Sequence, residues 1–214
     1  MSAPPAAVIF DCDGTLVDSE PLARAAWERS LAPYGYALDD TEYRGLVGLP
    51  YLEVHGFFAD RVPGLESPAP FWDRYSGTLF ELIDDDLEPF PDALETVWDL
   101  HERGVVLAVA SSSPRARLDR TLARTGLTGA FAVSVAGDEV AQGKPAPDMF
   151  LAVAAHLGLA PEDCVAVEDS GPGVTAALAA GMRTIGIARF DDGPDVAAAD
   201  VVLDELSADA VLEG

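Results

Sequence analysis

Lysine is almost missing from this 214-residue chain: of 13 basic residues only Lys144 is a lysine, and the rest are arginines. Positive charge of any kind is scarce. Against 37 Asp and Glu it leaves a formal net charge of -24 and a pI near 4.1, so a polyanion meets repulsion over most of the surface and nucleic acid is not an expected partner. Cysteine is scarce as well. Cys12 and Cys164 sit in no CxxC or Cys/His spacing, which excludes a disulfide framework and a thiolate zinc site. No apolar run approaches the roughly 20 residues of a membrane span, and Met1 to Ala7 carries no basic residue ahead of the short run that stops at Asp11. Neither a secretory leader nor a membrane partner is expected, and a cytoplasmic address follows. Internal repeats are not evident.

The composition that remains is ordinary: 49% hydrophobic, 23% charged and 8% aromatic residues, enough for a real core. The length suits one domain, or one domain with an insertion. The acidic surface favours a soluble monomer and attracts divalent cations, but an anionic substrate then needs a locally positive site. In a chain that uses arginine elsewhere, Lys144 is either a chance survivor or a position that requires lysine.

Short, nearly continuous apolar runs predict strands buried on both faces: Ala7 to Phe10, Val105 to Ala110, Phe131 to Val135, Val165 to Val167, Thr184 to Ile187 and Asp200 to Leu203. Helical patterns alternate with them over Asp92 to Glu102, Pro114 to Thr125, Pro147 to Leu157 and Gly173 to Ala180, with Gly104, Gly126, Gly158 and Gly181 as stops. The alternation predicts an α/β fold with a doubly wound parallel sheet. Residues 18–88 interrupt it. Asp18, Ser19 or Glu20 can cap a helix with Pro21 in its first turn, and Trp27, Leu31 and Tyr34 recur at helical spacing. Trp72, Tyr75, Leu79 and Leu82 form a second stripe. The expected organisation is core over 1–17, a helical insertion over 18–88, and core again over 89–214.

Polar residues follow three strand runs directly: Asp11 and Asp13, Ser111, and the pair Glu168 and Asp169. In an open parallel sheet these carboxyl ends line the ligand crevice. Lys144, between Gly143 and the prolines at 145 and 147, can present its ammonium at the same rim. Acids for a hard cation, with a hydroxyl and an ammonium for phosphoryl oxygens, suit a magnesium phosphate site. Singly these residues read as turns or caps. An EF-hand loop counted to Glu20 would put apolar Ile9 at its first ligand position. A receiver domain would place its acceptor after the third strand and carry no insertion.

Taken together, the segments 11–20, 110–113, 143–148 and 168–173 resemble the four ordered motifs of the haloacid dehalogenase superfamily, nearest its β-phosphoglucomutase-like and sugar-phosphate phosphatase subgroup. The resemblance spans nearly the whole chain and implies a Rossmann-like core with an inserted helical cap. It implies Asp11 as nucleophile, Asp13 as general acid and base, Ser111 and Lys144 on the phosphoryl group, and Mg2+ held by Asp11, Glu168, Asp169 and the main-chain carbonyl of Asp13. An acid at Asp13 argues against dehalogenation, since a departing halide needs no proton.

The expected activity is hydrolysis of a small phosphorylated metabolite, a sugar phosphate first. A β-phosphoglucomutase-type mutase is the alternative, and a metal- and phosphate-binding protein without turnover is a lesser one. The subgroup's mutases carry a His twelve residues after the nucleophile, where this chain has Ala23, and an Arg shortly after a cap-loop Gly, where Gly48 is followed by Leu49, Pro50 and Tyr51. By position, Ser112, Glu20, Trp27, Gly48, Tyr51 and Arg115 join the expected substrate contacts, although a Trp at helical spacing is more often core and Arg115 equally suits a surface or capping role.

Overall fold

The computed structural model describes residues 4–189 and 196–213. Its chain divides into two compact units, Met1–Asp18 with Glu88–Gly214, and Ser19–Leu87.

The first unit is built on six parallel strands: β1 (Ala7–Phe10), β2 (Val106–Ala110), β3 (Val133–Val135), β4 (Cys164–Glu168), β5 (Arg183–Ile187) and β6 (Val201–Leu203). Their order is β3-β2-β1-β4-β5-β6. This is the doubly wound parallel sheet that the alternating pattern predicts, in the Rossmann-like form that the family resemblance implies. The central strands β1 and β4 are buried along their whole length, and apolar up to Glu168 at the end of β4, because helices cover both faces, whereas edge strand β6 leaves Val202 about half exposed. Ala7, Ile9, Ala108, Ala110 and Ala166 share one face. Their small side chains let Met149, Phe150 and Val153 of α7 (Asp148–Leu157), and Ala176 and Ala177 of α8 (Gly171–Ala179), approach closely. Helices α5 (Pro91–Glu102), α6 (Arg115–Arg124) and α9 (Ala208–Glu213) complete the unit, α5 packing on β2 and α9. The four expected stop glycines all take left-handed backbone angles.

The strand bounds differ from the sequence reading at two functional points. Glu168 lies within β4 rather than after it, because its backbone continues the ladder with Gly186. Phe131 and Ala132 precede β3, and Phe131 turns its ring edge-on to Phe10, 6.3 Å away.

The second unit holds α1 (Glu20–Leu31), α2 (Asp40–Leu46), α3 (Tyr51–Ala59) and α4 (Pro68–Asp86). Ser19 precedes α1 without a capping side-chain bond, whereas Asp39 caps α2 reciprocally with Glu42. Trp27 is the centre of this unit's core, its ring 4.2 Å from Tyr75, 5.4 Å from Phe58 and 5.9 Å from Phe71. Each such pair adds roughly 0.5–1.5 kcal/mol to the gain from burial. The buried stripe of α4 is Phe71, Tyr75, Leu79, Leu82 and Ile83. Trp72 is only half-buried, so the stripe starts one residue earlier than the spacing suggested.

Beside the chain crossings between the units, Arg189 ties the core together. Its Nη1 donates to both oxygens of Asp92 at 2.8 Å, its Nη2 donates to the Thr15 carbonyl at 2.8 Å, and its guanidinium lies 4.0 Å from the centre of the Phe90 ring. The Leu206 amide also donates to Asp92. Burial alone would raise the Asp92 carboxyl, but the Leu206 amide, Arg189 and the Ala93 amide outweigh it and hold the group below its ordinary value. Both side chains of the pair are largely buried, so Arg189→Met leaves the carboxylate with amide donors but no counter-charge and should cost about 3 kcal/mol in urea unfolding. Because the folded value is the lower one, this contribution is complete above roughly pH 4 and disappears as pH falls through it. An unchanged urea midpoint in Arg189→Met would refute the assignment.

Candidate active site

Register brings the motifs together. Phe10 pairs with Val109 on one side and Val167 on the other, so Asp11, Ala110 and Glu168 stand at one level. The Asp11 amide donates to the Val167 carbonyl at 2.9 Å, and the Ser111 amide to the Val135 carbonyl at 3.0 Å. Lys144 reaches this rim from the loop before α7. Its Nζ donates to Asp11 Oδ1 and, at 2.9 Å, to the Ala110 carbonyl, and it lies 2.5 Å from Glu168 Oε1. The three side chains are almost wholly buried.

The carboxylates of Asp11, Glu168 and Asp169 each place an oxygen within 4.8 Å of the others. Local structure fixes two of them. Ser170 donates from its amide and hydroxyl to Glu168 Oε2, at 3.2 and 3.0 Å, while its Oγ caps α8 by accepting from the Gly173 amide. Thr15 Oγ1 donates to Asp169 Oδ1 at 3.1 Å. Any Cβ at Gly14 would overlap the Asp169 carboxylate, and one at Gly173 would overlap that of Glu168. Gly14 also needs its positive φ of 88° to close the turn after β1.

Three acids facing one ammonium leave a buried negative excess. Burial, with Glu168 and Asp169 adding to it, raises Asp11 well above its ordinary value despite Lys144. Burial and the Glu168 charge push Asp169 up to about 7. Burial works against the Lys144 charge, but Asp11 and Glu168 prevail and keep it protonated. The Cys12 thiol is pushed up by burial and by Asp13 and Asp11, so it is no thiolate nucleophile. An all-oxygen donor set with surplus negative charge can hold a hard divalent cation.

Asp13 stands to one side of this cluster, with Ser113 Oγ donating to its Oδ2 and Arg117 Nη2 to its Oδ1, both at 2.7 Å. Ser111 is buried, and its Oγ accepts from the Ser113 amide at 3.1 Å. Ser112 is exposed, with its carbonyl against Gly137, where a Cβ would collide with it. Arg115 does not join the cluster. Its guanidinium is held by Glu139, Asp119 and Ser134, which leaves it a structural tie between α6 and the loop after β3. Within the helical unit, Trp27 is core rather than an open platform, and Tyr51 packs its ring at a tilt against Trp72, 4.3 Å between ring centres, while donating to the Pro68 carbonyl. Glu20 and Gly48 are exposed.

Thr15, Ser113 and Arg117 escaped the sequence reading. Thr15 lies within the first motif, 11–20, and Ser113 within the second, 110–113. Arg117 lies six residues beyond Ser111 on α6, so a search for basic residues one helical turn past the Ser run would have found it.

The family model for haloacid dehalogenase-like hydrolases matches residues 5–181. The chain belongs to this family and is a phosphatase of its type. It is 34% identical over 182 residues to fructose-1-phosphate phosphatase YqaB of Escherichia coli, covering 85% of this chain and 96% of that one. A phosphorylated carbohydrates phosphatase of Thermotoga maritima is 34% identical over 179 residues, covering 84% and 83%. The crystal structure of CbbY from Rhodobacter sphaeroides in complex with phosphate superposes with a TM-score of 0.85 at 29% identity, covering 98% of this chain and all of that one.

Because a cation needs the deprotonated carboxylates, its binding should release protons, and its affinity should fall as pH drops below about 7. Calorimetric titration of Mg2+ in buffers of different ionisation enthalpy measures this directly. A binding heat independent of buffer between pH 6 and 7 would contradict it.

Proposed function

We propose that the protein is a cytoplasmic, monomeric, Mg2+-dependent phosphatase that hydrolyses a small phosphate monoester, a sugar phosphate first, through an aspartyl phosphate on Asp11. The observation that carries this reading is the buried Lys144 ammonium on Asp11, with Glu168 and Asp169 beside it at the strand ends. The three carboxylates fit Mg2+, so Asp11, Asp169 and Glu168, the last directly or through water, would hold it, and the family resemblance adds the Asp13 carbonyl. When bound, the ion neutralises phosphoryl charge and lowers the repulsion between phosphate and carboxylate.

Asp11 attacks phosphorus in line: its oxygen bonds to phosphorus while the ester bond breaks and its electron pair leaves on the alkoxide. Asp13 gives that alkoxide a proton. A water oxygen then bonds to phosphorus, its proton passes to Asp13, and the bond to Asp11 breaks, returning the electron pair to the carboxylate. Lys144 supplies positive charge throughout, and Ser111, whose Oγ already accepts from Ser113, offers its own O–H to a phosphoryl oxygen.

The helical unit is read as the substrate-selecting cap, with Glu20, Gly48 and Tyr51 as its contacts and Ser112 contributing from the core. Sugar phosphates are favoured by the names of the two phosphatase relatives. Hydrolysis is favoured over mutase chemistry because Ala23 stands where the subgroup's mutases carry His, and Leu49, Pro50 and Tyr51 follow Gly48 where they carry Arg. A mutase needs a cation for the second phosphate of its bisphosphate intermediate.

Phosphate release from a panel of sugar phosphates, with and without Mg2+, tests the reading. Asp11→Asn should abolish the metal-dependent activity, and Asp13→Asn should lower it by about 10²- to 10⁴-fold. Glucose 6-phosphate accumulating from β-glucose 1-phosphate with little free phosphate would select the mutase. Binding without turnover would reject both.

A further inference from the structure

One short stretch of chain, Ser113 to Arg117, engages both oxygens of the Asp13 carboxylate. Neither donor is loosely mounted. Ser113 is buried, its amide bonds to Ser111 Oγ, and its carbonyl accepts from the Gly137 amide at 2.9 Å. The Arg117 amide bonds to the Pro114 carbonyl at 2.9 Å in the first turn of α6, and its side chain is only one-fifth exposed. A carboxylate fastened at two oxygens by donors on one frame cannot turn about its terminal bond, so its direction is set from outside the β1 loop. Arg115 is consumed by Glu139 and Ser134, which leaves this contact to Arg117.

We propose that Arg117 is a positioning residue that aims Asp13 for the second half of the reaction. The inference rests on the phosphatase reading above. In that half, Asp13 takes the proton of the water whose oxygen bonds to phosphorus, as the phosphorus–oxygen bond to Asp11 breaks and its electron pair returns to Asp11. Proton transfer is steep in geometry, and a carboxylate free to rotate spends less time aimed at the water.

p-Nitrophenyl phosphate with Mg2+ separates the two halves, because nitrophenolate departs as an anion and the first half needs no proton from Asp13. Arg117→Met keeps the aliphatic stem, and Arg117→Lys restores charge without the planar fork. Both variants should keep a rapid burst of about one nitrophenolate per active site. Steady turnover should fall about tenfold in Arg117→Met and recover in part in Arg117→Lys. Added to Asp13→Asn, Arg117→Met should slow turnover no further, since it acts through that carboxylate. Unchanged turnover in Arg117→Met, an equal loss in the Asp13→Asn background, or disappearance of the burst in both variants would each overturn the proposal. Wild-type protein that releases no nitrophenolate with Mg2+ would instead remove the phosphatase reading on which it stands.

Discussion

The Lys144 ammonium, buried among Asp11, Glu168 and the Ala110 carbonyl, is the interaction around which the core is arranged. One positive charge cannot balance three carboxylates, so the cluster stays electron-rich and its acids are pushed toward protonation. A hard cation would relieve that excess and, together with Lys144, meet an arriving phosphoryl group with positive charge on a chain of net charge -24. The lone lysine is used where a compact ammonium with three donors fits between two acids and a carbonyl.

Everything that holds this cluster is ordinary sheet and cap physics. Parallel register aligns the ends of β1, β2 and β4. Ser170 caps α8 and in the same act steadies Glu168. Gly14 and Gly173 are small because carboxylates occupy the space their side chains would take. Arg189 fastens the Thr15 backbone, and the Thr15 hydroxyl fastens Asp169, so a tie at the edge of the core reaches a candidate metal ligand in two steps.

Much of this was legible in the sequence because it rests on short-range patterns. Six apolar runs gave strands, four glycines stopped helices, and acids directly after strands marked the crevice. What the pattern could not show is which of two neighbours faces inward. Phe71 rather than Trp72 enters the core of the helical unit, and Trp27 serves that core rather than an open face, because both outcomes satisfy the same helical spacing. Arg115 and Arg117 pose the same problem two residues apart. Only the placement of Glu139 and Asp13 assigns one to a structural tie and the other to the site.

The most direct test of the account is to quench the protein in acid during turnover of phosphate-labelled p-nitrophenyl phosphate, whose leaving group needs no proton, using Asp13→Asn to slow the second half, and to locate the label. The account predicts one acid-stable, base-labile phosphoryl group on the peptide that contains Asp11. Turnover that continues with no label on that peptide would contradict it.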